Sequence, residues 1–227
     1  LADFPDMNRT LPLAALALMV RRVAARVVPE AATAVALATV LTTLLLPFAS
    51  LLFGHVLGTA LAFGGWMLAT SDAPSRRRLA LGGLLLGAAV LVEYTLVMAA
   101  VATAVYAIWR LRTRALPLLL GGVPGLVALL GYQWAAFGGP FEFSYANSSF
   151  GPQTAERGIE KLDPPLVENA LRVLVGERGL FLMTPVIALG VVGVILLIRQ
   201  TSGHQRGAYL AAAASAASVI GVQMFWS

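Results

Sequence analysis

"LGGLLLGAAVLVEYTLVMAAVATAVYAIWR", Leu81 to Arg110, is apolar almost throughout, yet one carboxylate, Glu93, sits near its middle. The apolar run that contains it starts at Leu79. Drawn as one helix, 79–110 would be about 48 Å long at 1.5 Å per residue. A bilayer's hydrocarbon core is only about 30 Å thick. The flanking charges choose between one crossing and a hairpin. Arg76, Arg77 and Arg78 precede the run, and Arg110, Arg112 and Arg114 follow it. A single crossing would put these clusters on opposite faces. A hairpin puts both in the cytoplasm, as the positive-inside rule requires. The run is therefore read as a hairpin that turns outside at Glu93, Tyr94 and Thr95.

The same reasoning applies to 31–70, about 60 Å as one helix. Arg21, Arg22 and Arg26 lie before it and Arg76 to Arg78 after it. It also reads as a hairpin, turning near Pro47 and Ser50. The composition agrees with a membrane chain: 59% hydrophobic and 12% charged, against about 25% charged in soluble domains. The net charge of +5 is spread in short arginine clusters at the ends of apolar runs. That is a topology signal, and nucleic-acid binding is excluded as the reason for it. The absence of cysteine excludes a disulfide framework and a thiolate metal site.

The expected fold is an all-α integral membrane bundle, a single domain over 1–227, with about eight helical segments at 11–28, 31–46, 51–70, 79–92, 94–110, 115–137, 180–198 and 207–225. The N-terminal end starts outside. A long outer loop, 138–179, holds Glu142, Glu156, Glu160, Asp163, Glu168 and Glu177, six of the eleven acidic residues. Within it, "LDPPLVENALRVLVG" predicts a short amphipathic helix after Pro165, with Leu166, Val167, Ala170, Leu171 and Leu174 on one face. The chain starts at Leu1 and stops just after "VQMFWS", and it reads as a piece of a larger protein.

No Walker loop, dinucleotide fingerprint, zinc spacing or nucleophile elbow is present. "LGGLLLG" and "GGVPG" lie in apolar helices, where glycine serves close helix packing. Polar groups at membrane depth tend to be functional, and they gather at the outer turns. Glu93 and Tyr94 mark the second hairpin turn, and a solvated loop carboxylate is the ordinary alternative. His55, in "LLFGHVLG", is near the first turn, where an imidazole bonded to a backbone carbonyl is the alternative. Gln133 and Trp134 close the 115–137 run, with an interface belt as the plain role of the Trp. Glu142 and Tyr145, in "FGGPFEFSYANSSF", face a carbohydrate or anchor the loop. Arg178, in "GERGLFLMTP", is a cation on the outer side, paired with an anionic lipid phosphate or with a loop acid such as Glu177.

"LLLPFASLLFGHVLGTALAF", "LALGGLLLGAAVLVEYTLVM", "GYQWAAFGGPFEFSYAN" and "RGLFLMTPVIAL", in that order over about 36–200, resemble bacterial polytopic glycosyltransferases of the GT-C superfamily, in the group related to protein mannosyltransferases. The resemblance implies a multi-pass protein of the bacterial plasma membrane whose active face is periplasmic or extracellular. It implies a polyprenyl-phosphate sugar as donor, a lipid, glycan or protein as acceptor, membrane lipids as partners, and no nucleotide donor. It places the main catalytic acid in a first outer loop, which would lie upstream of Leu1; Asp3 and Asp6 are not assigned that role. Glu93 is then the fallback catalytic base of this chain. Arg178 would hold the donor phosphate. His55 and Glu93 would shape the sugar pocket, or hold a divalent cation. Tyr94, Trp134 and Tyr145 would stack on sugar or prenyl chain, with Glu142 beside them.

Two other readings stay open. A lipid-linked-sugar flippase or transporter would want polar residues at mid-membrane and repeated halves. A non-catalytic assembly subunit would need neither. Donor sugar, acceptor, metal requirement and oligomeric state are not encoded in any motif of the chain.

Overall fold

The computed structural model describes residues 5–50, 54–142, 166–177 and 179–226, and every element among them is helical. The helices are α1 (Pro5–Ala24), α2 (Ala32–Leu41), α3 (Leu45–Ser50), α4 (His55–Ala69), α5 (Arg76–Val92), α6 (Val97–Leu111), α7 (Leu116–Phe137), α8 (Leu166–Val175), α9 (Leu180–Met183), α10 (Val186–Gln200) and α11 (Gly203–Trp226). Short 3-10 turns at 29–31, 94–96 and 112–115 join some of them. The expected all-α class is met, and the amphipathic helix expected after Pro165 is α8.

The boundaries follow local chemistry. Ser75 caps α5, its side chain accepting the Arg78 amide proton at 3.3 Å. α5 stops where Glu93 turns extended, with φ −147° and ψ 101°. α6 ends at Arg112, the one described non-glycine residue with positive φ, at 55°. α7 ends on Gly138 at φ 82°, the left-handed conformation that glycine takes at no steric cost. The apolar run expected at 180–198 is broken at Thr184–Pro185 into α9 and α10. Proline has no N–H for a continuing helix, and its ring disfavours helical backbone in the residue before it.

Glycine sets the packing of the central helices. A Cβ on Gly83 would lie 1.9 Å from the Leu118 carbonyl oxygen, and one on Gly121 would lie 2.1 Å from that of Ala80. Gly87 meets Gly122 and Gly125 in the same way. Contacts that climb both helices together mean that α5 and α7 run parallel, backbone against backbone. α4 meets α5 with descending numbers: Gly65 touches Gly82 and Leu86, while Gly54 touches Val92. That pair is antiparallel. α6, which joins α5 to α7 in the chain, must run back the other way, and it does. The Arg110 guanidinium donates to the Ser71 carbonyl at 2.7 Å and to the Asp72 carbonyl at 2.6 Å, in the loop just before α5. The chain therefore doubles back at Glu93, and the two arginine clusters that flank the opening stretch share one end. Ala69, Leu79, Leu86, Ala107, Ala115 and Leu118 form the buried cluster near that end.

α11 docks on α6 with its first turns at the same end. Tyr106 Oη donates to the His204 carbonyl at 3.0 Å, and Trp66 Nε1 donates to the Ala208 carbonyl at 3.2 Å. Arg21 Nε reaches Thr33 Oγ1 at 3.0 Å where α1 hands over to α2. Asp72 lies among these cations, 2.9 Å from His204 Nε2. The hydrogen bond with His204 holds the Asp72 carboxyl below its ordinary value of 3.8, with help from the charges of His204, Arg26 and Arg110. A carboxylate with a depressed value stabilises the fold above the unfolded value and loses that effect as pH falls through the folded one. The small contribution of this exposed carboxylate to docking of the α11 start is thus expected to be lost as pH falls below about 3.8, the ordinary carboxyl value. Asp72→Asn should loosen that docking at pH 7. Fluorescence of Trp66 in a variant whose other tryptophans are Phe reports both, and an unchanged spectrum in Asp72→Asn would remove the Asp72–His204 contact from the account.

One helical run, Tyr94–Phe137, is long and apolar enough to cross a membrane by length and composition, with mean hydropathy 1.8 and 17% of its apolar window buried. Because the chain reverses at Arg112, that run is laid out as α6 and α7. α7 alone has 22 residues, about 33 Å at 1.5 Å per residue.

Candidate functional site

The end of the bundle opposite the arginines carries the polar cluster. His55 is the first residue of α4, and Glu93 follows the last residue of α5. Antiparallel packing of these helices puts the two at the same height. Gly58, one turn into α4, lets the chains close up: a Cβ there would lie 2.8 Å from Leu96 Cδ1 and 3.4 Å from Glu93 Cβ. His55 Nδ1 is 2.9 Å from Glu93 Oε2. The other carboxylate oxygen, Oε1, accepts from Thr95 Oγ1 at 3.1 Å. The imidazole also stands edge-on to Phe48, with ring centroids 5.2 Å apart. Both carboxylate oxygens thus have a partner, His55 on one side and Thr95 on the other.

Two cavities open beside this pair. One, of about 250 Å³, is lined by Glu93, Tyr94, Tyr132, Gln133 and Phe137 over a floor of Leu91, Val92 and Leu129. Gln133 reaches it because α7 runs parallel to α5 and brings its last turns level with Glu93. Its side chain is 5% exposed. A carboxylate, an amide with donors and acceptors on both sides, and aromatic rings suit a polyhydroxylated ring. The other cavity, of about 230 Å³, lies on the His55 side between α3, α4, α9 and α10, and its walls are largely apolar.

Of the residues singled out from the sequence, His55, Glu93, Tyr94 and Gln133 come together here. Trp134 lines neither cavity and is 64% exposed. Glu142 lies exposed in the turn after α7, where its amide donates to the Gly139 carbonyl at 3.3 Å. Tyr145 and Arg178 lie outside the described residues. Tyr132 and Thr184 were not singled out. The only signal for Thr184 was a hydroxyl directly before a proline inside an apolar run.

His55 and Glu93 offer one ring nitrogen and one carboxylate, in direct contact at 2.9 Å. No group of three or more His, Asp or Glu side chains suited to a metal occurs among the described residues. Compared with protein-family models, with curated proteins and with solved structures, the chain has no match in any of the three.

Proposed function

We propose that the chain is the core of a multi-pass membrane glycosyltransferase, moving a sugar from a polyprenyl-phosphate donor to an acceptor hydroxyl at the outer face. The observation that carries the reading is the Glu93–His55 pair opening on a cavity with Tyr94 and Gln133, at the end of the bundle away from the arginines. The resemblance of the ordered stretches over 36–200 to GT-C enzymes supports it. Multi-pass topology is supported by the apolar surface left outside: Leu116, Leu119, Leu120, Val123, Leu126 and Val127 of α7 are all exposed. An uninterrupted apolar face of that size needs lipid or a partner to cover it. With the arginine end in the cytoplasm, the two cavities face outward.

In this reading the sugar lies against Tyr94 and Gln133. The acceptor oxygen forms the new bond to the anomeric carbon as the bond from that carbon to the phosphate oxygen breaks. The proton leaves the acceptor oxygen for the Glu93–His55 pair, and the leaving group departs as polyprenyl phosphate. Arg178 is proposed to bind that phosphate through charge-assisted hydrogen bonds. Transfer is tested with the full-length protein, purified and given polyprenyl-phosphate sugars with labelled glycan, lipid and protein acceptors. Transfer of label supports the reading. Absence of transfer from every donor, with movement of lipid-linked sugar across vesicles, would replace it with a flippase. Arg178→Ala is expected to raise KM for the donor at least tenfold, since a charged hydrogen bond contributes about 1.5–3 kcal/mol.

A further inference from the structure

We propose that the second cavity is a binding site for an uncharged amphiphile with an apolar body and one hydroxyl group. Thr184 carries the inference. It is 1% exposed, it lines the cavity, and its Oγ1 has no hydrogen-bond partner among the described residues. A hydroxyl so buried and left unpaired is costly, and native proteins rarely keep one without a reason. The wall is otherwise largely apolar, with Leu44, Phe48, Val56 and Ile187 facing the space, and its other polar side chains are Thr43, Thr59 and His55. Two helices also begin there. His55 opens α4, and Thr184 stands two residues ahead of Val186, the first residue of α10. The α10 amides of Ile187 and Ala188 are already used, donating to the Thr184 and Pro185 carbonyls at 3.0 Å each, so the Thr184 hydroxyl is the group left to meet a ligand oxygen.

The ligand oxygen is neutral for two reasons. No Lys or Arg lines the cavity among the described residues, and an unpaired charge against apolar walls is strongly disfavoured. The Glu93 carboxylate, 2.9 Å behind His55, also disfavours a second anion. An alcohol fits both conditions, since it donates to and accepts from a threonine hydroxyl. The volume of about 230 Å³ equals roughly eight waters at about 30 Å³ each, room for a short alkyl chain or one end of a longer lipid. His55 lines this cavity and Glu93 the first one, so the pair joins an alcohol on one side to a polar pocket on the other. Naming that alcohol as the acceptor, a lipid alcohol in place of a glycan or protein, rests on the transfer reading; the site itself does not.

The test is photolabelling of the full-length protein in phosphatidylcholine nanodiscs with a diazirine-bearing octanol, read by mass spectrometry. Label is expected on peptides containing Phe48, Val56 and Ile187, displaced by n-octanol and not by n-octane. Thr184→Val should cut labelling about tenfold, the loss of one hydrogen bond, and Thr184→Ser should retain it. Thr184→Val should also melt at or above the wild-type temperature, because it deletes an unpaired hydroxyl. Wild-type labelling of Thr184→Val, equal displacement by octane, or a clearly lower melting temperature would each overturn the proposal. No sugar donor is present in the experiment, so its failure is separate from any failure of glycosyl transfer.

Discussion

Gly83→Ala is expected to lower the stability of the bundle by about 3 kcal/mol or more, the upper range for forcing a methyl into a filled interface. Few substitutions of one methyl should cost as much. The new Cβ would meet the Leu118 carbonyl oxygen at 1.9 Å, with the Gly122 amide nitrogen at 3.0 Å. Those are backbone atoms, so no side chain can swing away, and α5 and α7 must move apart along their shared length. Gly121→Ala on the facing helix should behave alike, because its Cβ would sit 2.1 Å from the Ala80 carbonyl oxygen. Gly131 and Gly190 are the controls. Nothing lies within 4 Å of a Cβ on either, so alanine there should be neutral or gain up to about 1 kcal/mol from helix propensity. Thermal unfolding of the detergent-solubilised protein measures all four. A drop of roughly 10 °C is expected for Gly83→Ala and none for Gly131→Ala. Equal melting of these two variants would mean that α5 and α7 are not packed through glycine.

Glu93→Gln is expected to reduce kcat for sugar transfer by about 10²–10⁴-fold, the usual contribution of a positioned proton acceptor, while the protein folds normally. The amide is the same size, and its oxygen still accepts from Thr95 Oγ1. What is lost is the negative charge beside the imidazole. His55→Ala should reduce kcat too, and the double variant should be little worse than either single one, since residues that act as a unit are not additive. Transfer within about threefold of wild type in Glu93→Gln would leave the carboxylate as a fold element only. Gln133→Leu should raise KM for the donor with a smaller change in kcat, because the amide is placed to bind and not to take a proton.

The hairpin over 79–110 was legible from the arginine clusters at both ends of the run, which the positive-inside rule places on one side. Arg110 returning to the Ser71 and Asp72 carbonyls shows that the chain doubles back there. The glycines of "LGGLLLG" and "GGVPG" were legible as packing residues. That they pair with each other, in parallel, was not, since nothing local says which two helices meet. Glu93 and His55 were each visible as polar residues at a turn. Their contact depends on α4 and α5 being antiparallel and on Gly58 closing the gap, which is tertiary information. Gln133 drew attention beside Trp134, and the helix phase decides between them: the amide turns in and the indole turns out. Thr184 was hidden because a threonine in an apolar segment usually bonds to the carbonyl four residues back, as Thr103 does to Ala99 at 2.8 Å; the break at Pro185 shapes its surroundings.

The claim on which the account turns is that the chain crosses the membrane several times, with its arginine end inside and the Glu93 end outside. The chain has no cysteine, so single cysteines can be introduced at exposed positions: Ala73 and Thr113 for the arginine end, Glu142 for the other. Intact cells are treated with a membrane-impermeant maleimide. The account predicts labelling of Glu142→Cys, and labelling of Ala73→Cys and Thr113→Cys only after the membrane is opened. Labelling of Ala73→Cys and Thr113→Cys from opposite sides, or of all three from one side, would contradict it.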